Sequence, residues 1–105
     1  MGLFGKNKQE EPELCAAERI RIEKMKDNDE FARDIILDIK DGIPCVINFE
    51  GLGEEAGNKF LAFLEGAAVA LEGKTIKINE FTYLFARKED FMDGSLREWL
   101  NKLPK

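Results

Sequence analysis

The run Ile43-Pro44-Cys45-Val46-Ile47-Asn48-Phe49 is apolar on both of its alternating sets of side chains. Successive side chains of an extended chain point to opposite faces, so this strand needs cover on both sides and belongs inside a sheet. Pro44 cannot donate to a strand ladder, and it stands near the start of the run, where a strand tolerates it. Upstream, Arg19-Ile20-Arg21-Ile22-Glu23 alternates isoleucine with charge and predicts a half-exposed strand over about residues 18 to 24. Between these strands Asp27-Asn28-Asp29 offers capping groups for a helix with one stripe of Phe31, Ala32, Ile35, Ile36 and Ile39, with Gly42 available just past its end. A second helix is predicted from about Glu54 to Glu72, closed by Gly73. Thr75-Ile76-Lys77-Ile78 and Phe81-Thr82-Tyr83-Leu84-Phe85-Ala86 then read as an antiparallel strand pair turning at Asn79-Glu80. Ser95-Leu96-Arg97-Glu98 has the form of a capping box, and Leu96, Trp99, Leu100 and Leu103 share one face of a short closing helix. The order β-α-β-α-β-β-α predicts an α/β fold, a two-layer sandwich with helices on one face of a small mixed sheet.

The chain has 105 residues, room for one folded domain over 14–105 behind a tail and linker at 1–13. A domain of this size buries roughly two-thirds of the surface its unfolded chain exposes and needs no metal or disulfide to fold. It contains no histidine, which removes the commonest general base, the usual zinc ligand and the Ser-His and Cys-His pairings. Lysine and arginine number 16 against 21 aspartate and glutamate, a net charge of -5 that is the wrong sign for a phosphate-backbone binder, so no nucleic acid partner is expected. Cys15 and Cys45 form no CxxC motif and are expected as free thiols, with Cys45 a buried, inert apolar residue. Asp34 and Asp38 on the first helix read as a solvated polar face. No catalytic residue, cofactor or metal site is expected. No apolar stretch approaches the ~18 residues that span a bilayer, and Met1 to Lys8 lacks the core of a signal peptide, so the expectation is a chain that neither crosses a membrane nor is secreted.

Three features exceed what core packing needs. Phe60, Leu61, Leu64, Ala68 and Leu71 already give the second helix a buried face, yet Ala62, Gly66 and Ala70 add a second side of small residues. Gly66 costs roughly 1 kcal/mol relative to alanine in a helix interior, which calls for close contact either with the first helix or with a second copy of the chain. In the last strand the set Phe81, Tyr83, Phe85 and the set Thr82, Leu84, Ala86 are both largely apolar, so one sheet face is expected to seek a partner, with Lys77 either a cationic edge beside the aromatics or a solvated lysine. Leu3 and Phe4 beside Lys6 and Lys8 suit the boundary of an anionic membrane, with a grip firm only in a multivalent assembly.

The segments Gly42-Ile43-Pro44-Cys45-Val46-Ile47-Asn48-Phe49, Phe60-Leu61-Ala62-Phe63-Leu64-Glu65-Gly66-Ala67, Gly73-Lys74-Thr75-Ile76-Lys77-Ile78 and Thr82-Tyr83-Leu84-Phe85 together resemble the SepF family of cell-division factors over about residues 17 to 91. The resemblance implies a non-enzymatic adaptor that binds the C-terminal tail of the tubulin-like GTPase FtsZ, forms homodimers able to polymerise, and tethers the division ring to the inner face of the cell membrane. Lys77 falls on the family's basic residue and Tyr83 on its aromatic one, giving a tail-binding pocket around Lys77, Phe81 and Tyr83. Gly66 falls on the helix glycine of the polymerising contact. The chain departs from the pattern at Glu65, where serine is usual, at Glu72, where glycine is, and at Tyr83, where phenylalanine is. The closing helix around Trp99 has no clear counterpart, and the short linker resembles that of archaeal members. The alternative reading is a dimeric α/β module that regulates another protein or senses a ligand, without a membrane role.

Overall fold

The computed structural model describes residues 14–104. Its elements are β1 (Arg21–Lys24), α1 (Asp29–Lys40), β2 (Cys45–Asn48), α2 (Glu54–Ala70), β3 (Lys74–Lys77), β4 (Thr82–Ala86) and α3 (Ser95–Asn101), with 3-10 turns at Ala16–Arg19 and Lys88–Phe91. The four strands lie in the order β1-β2-β4-β3. β1 runs parallel to β2, and the other two pairings are antiparallel, so the fold is α/β with a small mixed sheet, as expected. β2 and β4 are the inner strands, which is what their two-sided apolar character requires.

Local chemistry sets the element ends. The Asn28 side chain accepts the Phe31 backbone N–H at 2.9 Å and starts α1. Gly42, at φ 94°, then reverses the chain after the helix. Ala32, Ile35 and Ile39 of α1 and Phe60, Leu64 and Ala68 of α2 pack on one sheet face against Cys45, Ile47, Phe49 and Phe85. Burial pushes the Cys45 thiol up to about 12, consistent with an inert core residue.

The opposite face explains why β4 is apolar on both sides. Register places Ile22, Val46, Leu84 and Ile76 in one row across the sheet. At one end of this face a second, smaller core joins Ala86 to Ala16 and Leu96, with Ile20 and Phe91 packed around them. The two long helices thus share a face as expected, while α3 sits by Ala86 on the other side. Leu84 and Ala86 are covered within the chain rather than left for a partner, whereas Ile22 stays largely exposed.

Three local expectations need correction. The second helix ends at Ala70, and Glu72, not Gly73, takes the left-handed turn at φ 58°. Gly73 is required for another reason: a Cβ there would stand 2.2 Å from the Ala86 carbonyl oxygen. Ser95 does not cap the last helix, because Gly94 holds that place. Ser95 Oγ instead donates to Asp93 at 2.7 Å and accepts the Ala17 N–H at 2.9 Å, a tertiary tie that competes with the local box. The first strand starts at Arg21, because the residues before it form the 3-10 turn that reaches α3.

Candidate functional site

β4 aims Tyr83 and Phe85 toward the helices, not away from them. The Phe49 ring meets Tyr83 edge-on at 5.8 Å between centroids and Phe85 at 6.4 Å, and Tyr83 stacks on Phe85 at 6.4 Å. Phe85 and Phe49 close the inner end of this cluster, while Tyr83 is only half-buried. The Phe49 N–H donates to the Phe81 carbonyl at 2.8 Å, which holds Phe81 alongside, 40% exposed. The turn before β4 is pinned by Asn79, whose side chain accepts the Phe81 N–H at 3.1 Å. Across the ladder the Asn48 amide donates to the Thr82 hydroxyl at 2.9 Å and its carbonyl oxygen accepts the Glu50 N–H, turning the chain out of β2.

These constraints open a cleft of about 510 Å³ between the β2–α2 loop, the start of α2 and β4. Phe49, Leu61, Phe81 and Tyr83 supply apolar walls, and Glu54 and Glu80 add carboxylates. Gly51 and Gly53, at φ 97° and 84°, form a wall without side chains, and Gly53 leads straight into α2. Lys77 is the direct cross-strand partner of Tyr83, so the two stand side by side on one face at the sheet edge. Lys77, Phe81 and Tyr83, named from the sequence, are therefore neighbours in space. Sequence reasoning missed the other half of the cleft, whose one sequence signal is the glycine density from Gly51 to Gly57.

A second surface runs along α2. Ala62, Phe63, Gly66, Val69 and Ala70 are all exposed, Phe63 by 50% and Val69 by 73%. They form an apolar stripe opposite the face that carries Phe60, Leu64 and Ala68. Among the described residues, nothing lies within 4 Å of a Cβ built on Gly66, so the packing reason for this glycine is not contact with α1. Leu3, Phe4, Lys6 and Lys8 lie outside the described residues. Asp34 and Asp38, expected as a solvated face, are both held by the Arg21 guanidinium, which also binds Glu23. Partial burial lowers the arginine's proton affinity, but the carboxylates of Asp38, Glu23 and Asp34 outweigh it and hold the charge firmly on. Sequence reasoning also missed Asp90, 3% exposed, whose carboxylate accepts hydrogen bonds from Arg19 at 2.8 Å and from Arg87 at 3.2 and 3.3 Å. No helix among the described residues is long and apolar enough to cross a membrane.

The family described as Cell division protein SepF matches residues 20–88. A Cell division protein SepF of the bacterium Carboxydothermus hydrogenoformans is 39% identical over 64 residues, 61% of this chain and 47% of its own length. Another, from Alkaliphilus oremlandii, is 32% identical over 73 residues, 70% of this chain and 50% of its own length. The chain spans about half the length of the curated relatives it matches. The matched stretch takes in the whole sheet, both long helices and every cleft residue, and leaves α3 outside. This chain belongs to the SepF family of cell division proteins.

Proposed function

We propose that the protein is a non-enzymatic adaptor that binds the C-terminal tail of FtsZ at the cleft beside β4 and carries the division ring to the inner face of the cell membrane. The observation that supports this reading most is the side-by-side placement of Lys77 and Tyr83 on paired strands, next to an open cleft walled by Phe81 and Tyr83. Such a site takes a short peptide: apolar side chains enter between Phe49, Leu61, Phe81 and Tyr83, and Lys77 meets a carboxylate at the rim. Glu54 and Glu80 favour a basic group inside and turn acidic residues toward the lysine. Titration calorimetry of the chain with the tail peptide of FtsZ from the same cell tests the reading. Micromolar binding that a Lys77→Glu, Tyr83→Ala variant loses is the expected result, and an intact chain that ignores the peptide overturns it.

The exposed stripe of Ala62, Phe63, Gly66, Val69 and Ala70 supports self-association through α2, since a bare helix glycine lets a second backbone approach closely. The same stripe makes membrane attachment through Leu3 and Phe4 practicable, because linked copies add their individually weak lipid contacts. Gly66→Lys is expected to fold normally and to shift the species seen by light scattering to a smaller one. An unchanged assembly would remove α2 from the contact.

A further inference from the structure

The sheet has two edges, β1 and β3, and they differ in chemistry. The Ile78 N–H donates to the Thr82 carbonyl at 2.8 Å. In the same antiparallel register Ile76 opposes Leu84 and Lys74 opposes Ala86. Backbone groups alternate in such a ladder, so Lys74 and Ile76 use theirs on β4, while the N–H and C=O of Thr75 and Lys77 point away from the sheet. Among the described residues no turn, loop or side-chain hydrogen bond takes those outward groups.

The outward edge is bordered by a groove. Ile76, Lys77 and Ile78 form one wall, and Leu100, Leu103 and Pro104, at and beyond the end of α3, form the other, enclosing about 340 Å³. A strand edge facing an apolar helix end across a groove is the geometry in which a peptide is added as an extra strand. Charge identifies the occupant. Lys74 and Lys77 are exposed along β3, and no ion pair among the described residues takes either. At the other edge Arg21 is already surrounded by Glu23, Asp34 and Asp38. Lysines on an edge also discourage pairing with the same edge of another copy, so a second copy of β3 is the wrong occupant.

We infer that an extended acidic peptide with apolar residues at alternate positions docks as a fifth strand on β3, one set of its side chains entering the groove beneath α3 and the other passing Lys77. On the reading above this peptide is a stretch of the FtsZ tail, and the inference rests on that reading. The groove and the cleft flank the same β3–β4 turn, at Asn79 and Glu80. The acidic part of such a peptide therefore follows the lysine edge, and an apolar end rounds the turn toward Tyr83. The second wall of the groove lies outside the family-matched residues 20–88.

The test is calorimetric titration of the full chain with tail peptides, each N-methylated at one successive position. Strand addition predicts an alternating pattern, in which every second methylation weakens binding about tenfold and those between change it about twofold or less. Thr75→Pro removes an outward N–H that the β4 ladder does not use, and it is expected to weaken binding about tenfold while Thr75→Val leaves it unchanged. Should the proline variant not fold, the methylation series on the unaltered chain decides alone. A methylation series without alternation, with Lys77→Glu, Tyr83→Ala still abolishing binding, overturns strand addition and leaves the tail reading standing. An unaltered chain that binds no tail peptide overturns both.

Discussion

The described residues build two cores of different construction. The larger, between α1, α2 and one sheet face, is made almost wholly of apolar contacts, with Ile35, Ile39, Phe60, Leu64 and Phe85 withdrawn from water. The smaller, where the start of the described chain meets its end, has three buried apolar side chains, Ala16, Ala86 and Leu96. It is completed by polar ties. Arg19 joins Asp90 and also donates to the Gly42 and Leu14 carbonyls, while Asp93 accepts the Ala16 N–H and Ser95 receives that of Ala17. Where apolar area is plentiful its burial suffices to hold the elements; where it is scarce, charge-assisted hydrogen bonds must set the geometry.

Truncation of the larger core is the most direct way to break the comparison. Phe60→Ala deletes a fully buried ring and is expected to lower unfolding free energy by about 3–5 kcal/mol in denaturant titration, with far-ultraviolet dichroism lost in one transition. A loss well under that range would mean that the two cores share the load more evenly than their composition implies. Asp90→Ala leaves two guanidinium groups without their carboxylate. Both arginines keep partial access to water, so the expected loss is about 2 kcal/mol, below the Phe60 effect. Hydrogen exchange sharpens this: protection should fall at Ala16–Arg19 and in α3 while α1 and α2 keep theirs. Uniform loss of protection would show a single cooperative core.

The smallest effect is a pH dependence confined to the smaller core. The Ser95 N–H, then the Ala16 N–H and the Ser95 hydroxyl, hold the Asp93 carboxyl below the usual aspartate value. A depressed folded value means the unfolded chain binds the proton more readily. The contribution is therefore complete above the ordinary aspartate range, about pH 4, and fades as the pH falls through it toward the lower folded value. Asp93→Asn should flatten the acid limb of the stability curve and leave the neutral region nearly parallel. An unchanged acid limb would remove Asp93 from the account.

Legibility in the sequence follows the same division. The α1 stripe, the Asn28 cap, the inner position of β2 and the β3–β4 pairing could all be read, because each depends on residues close together in the chain. The nearness of Lys77, Phe81 and Tyr83 could be read in the same way, from alternation and from the resemblance to SepF. The Gly51–Gly53 wall of the cleft and the arginine pair around Asp90 were not found. The β4 wall of the cleft lies far in sequence from the glycines, and Arg19 lies 71 residues from Asp90; a charged residue that becomes buried looks like any other surface charge until its counter-ions are placed. Ser95 misled for a related reason, since a hydroxyl that satisfies a local pattern was recruited by Ala17, distant in the chain.

What the sequence by itself determined is the set of elements, their order and the inner place of β2, because the apolar period of each segment selects its local conformation and its buried side. Only the tertiary structure decided which face of the sheet the aromatic side chains enter, that a Cβ on Gly66 would meet nothing among the described residues, and that α3 leaves a groove beside β3. Those outcomes depend on how twist, register and the two chain ends bring distant segments together, and no periodicity within a single segment records that distance.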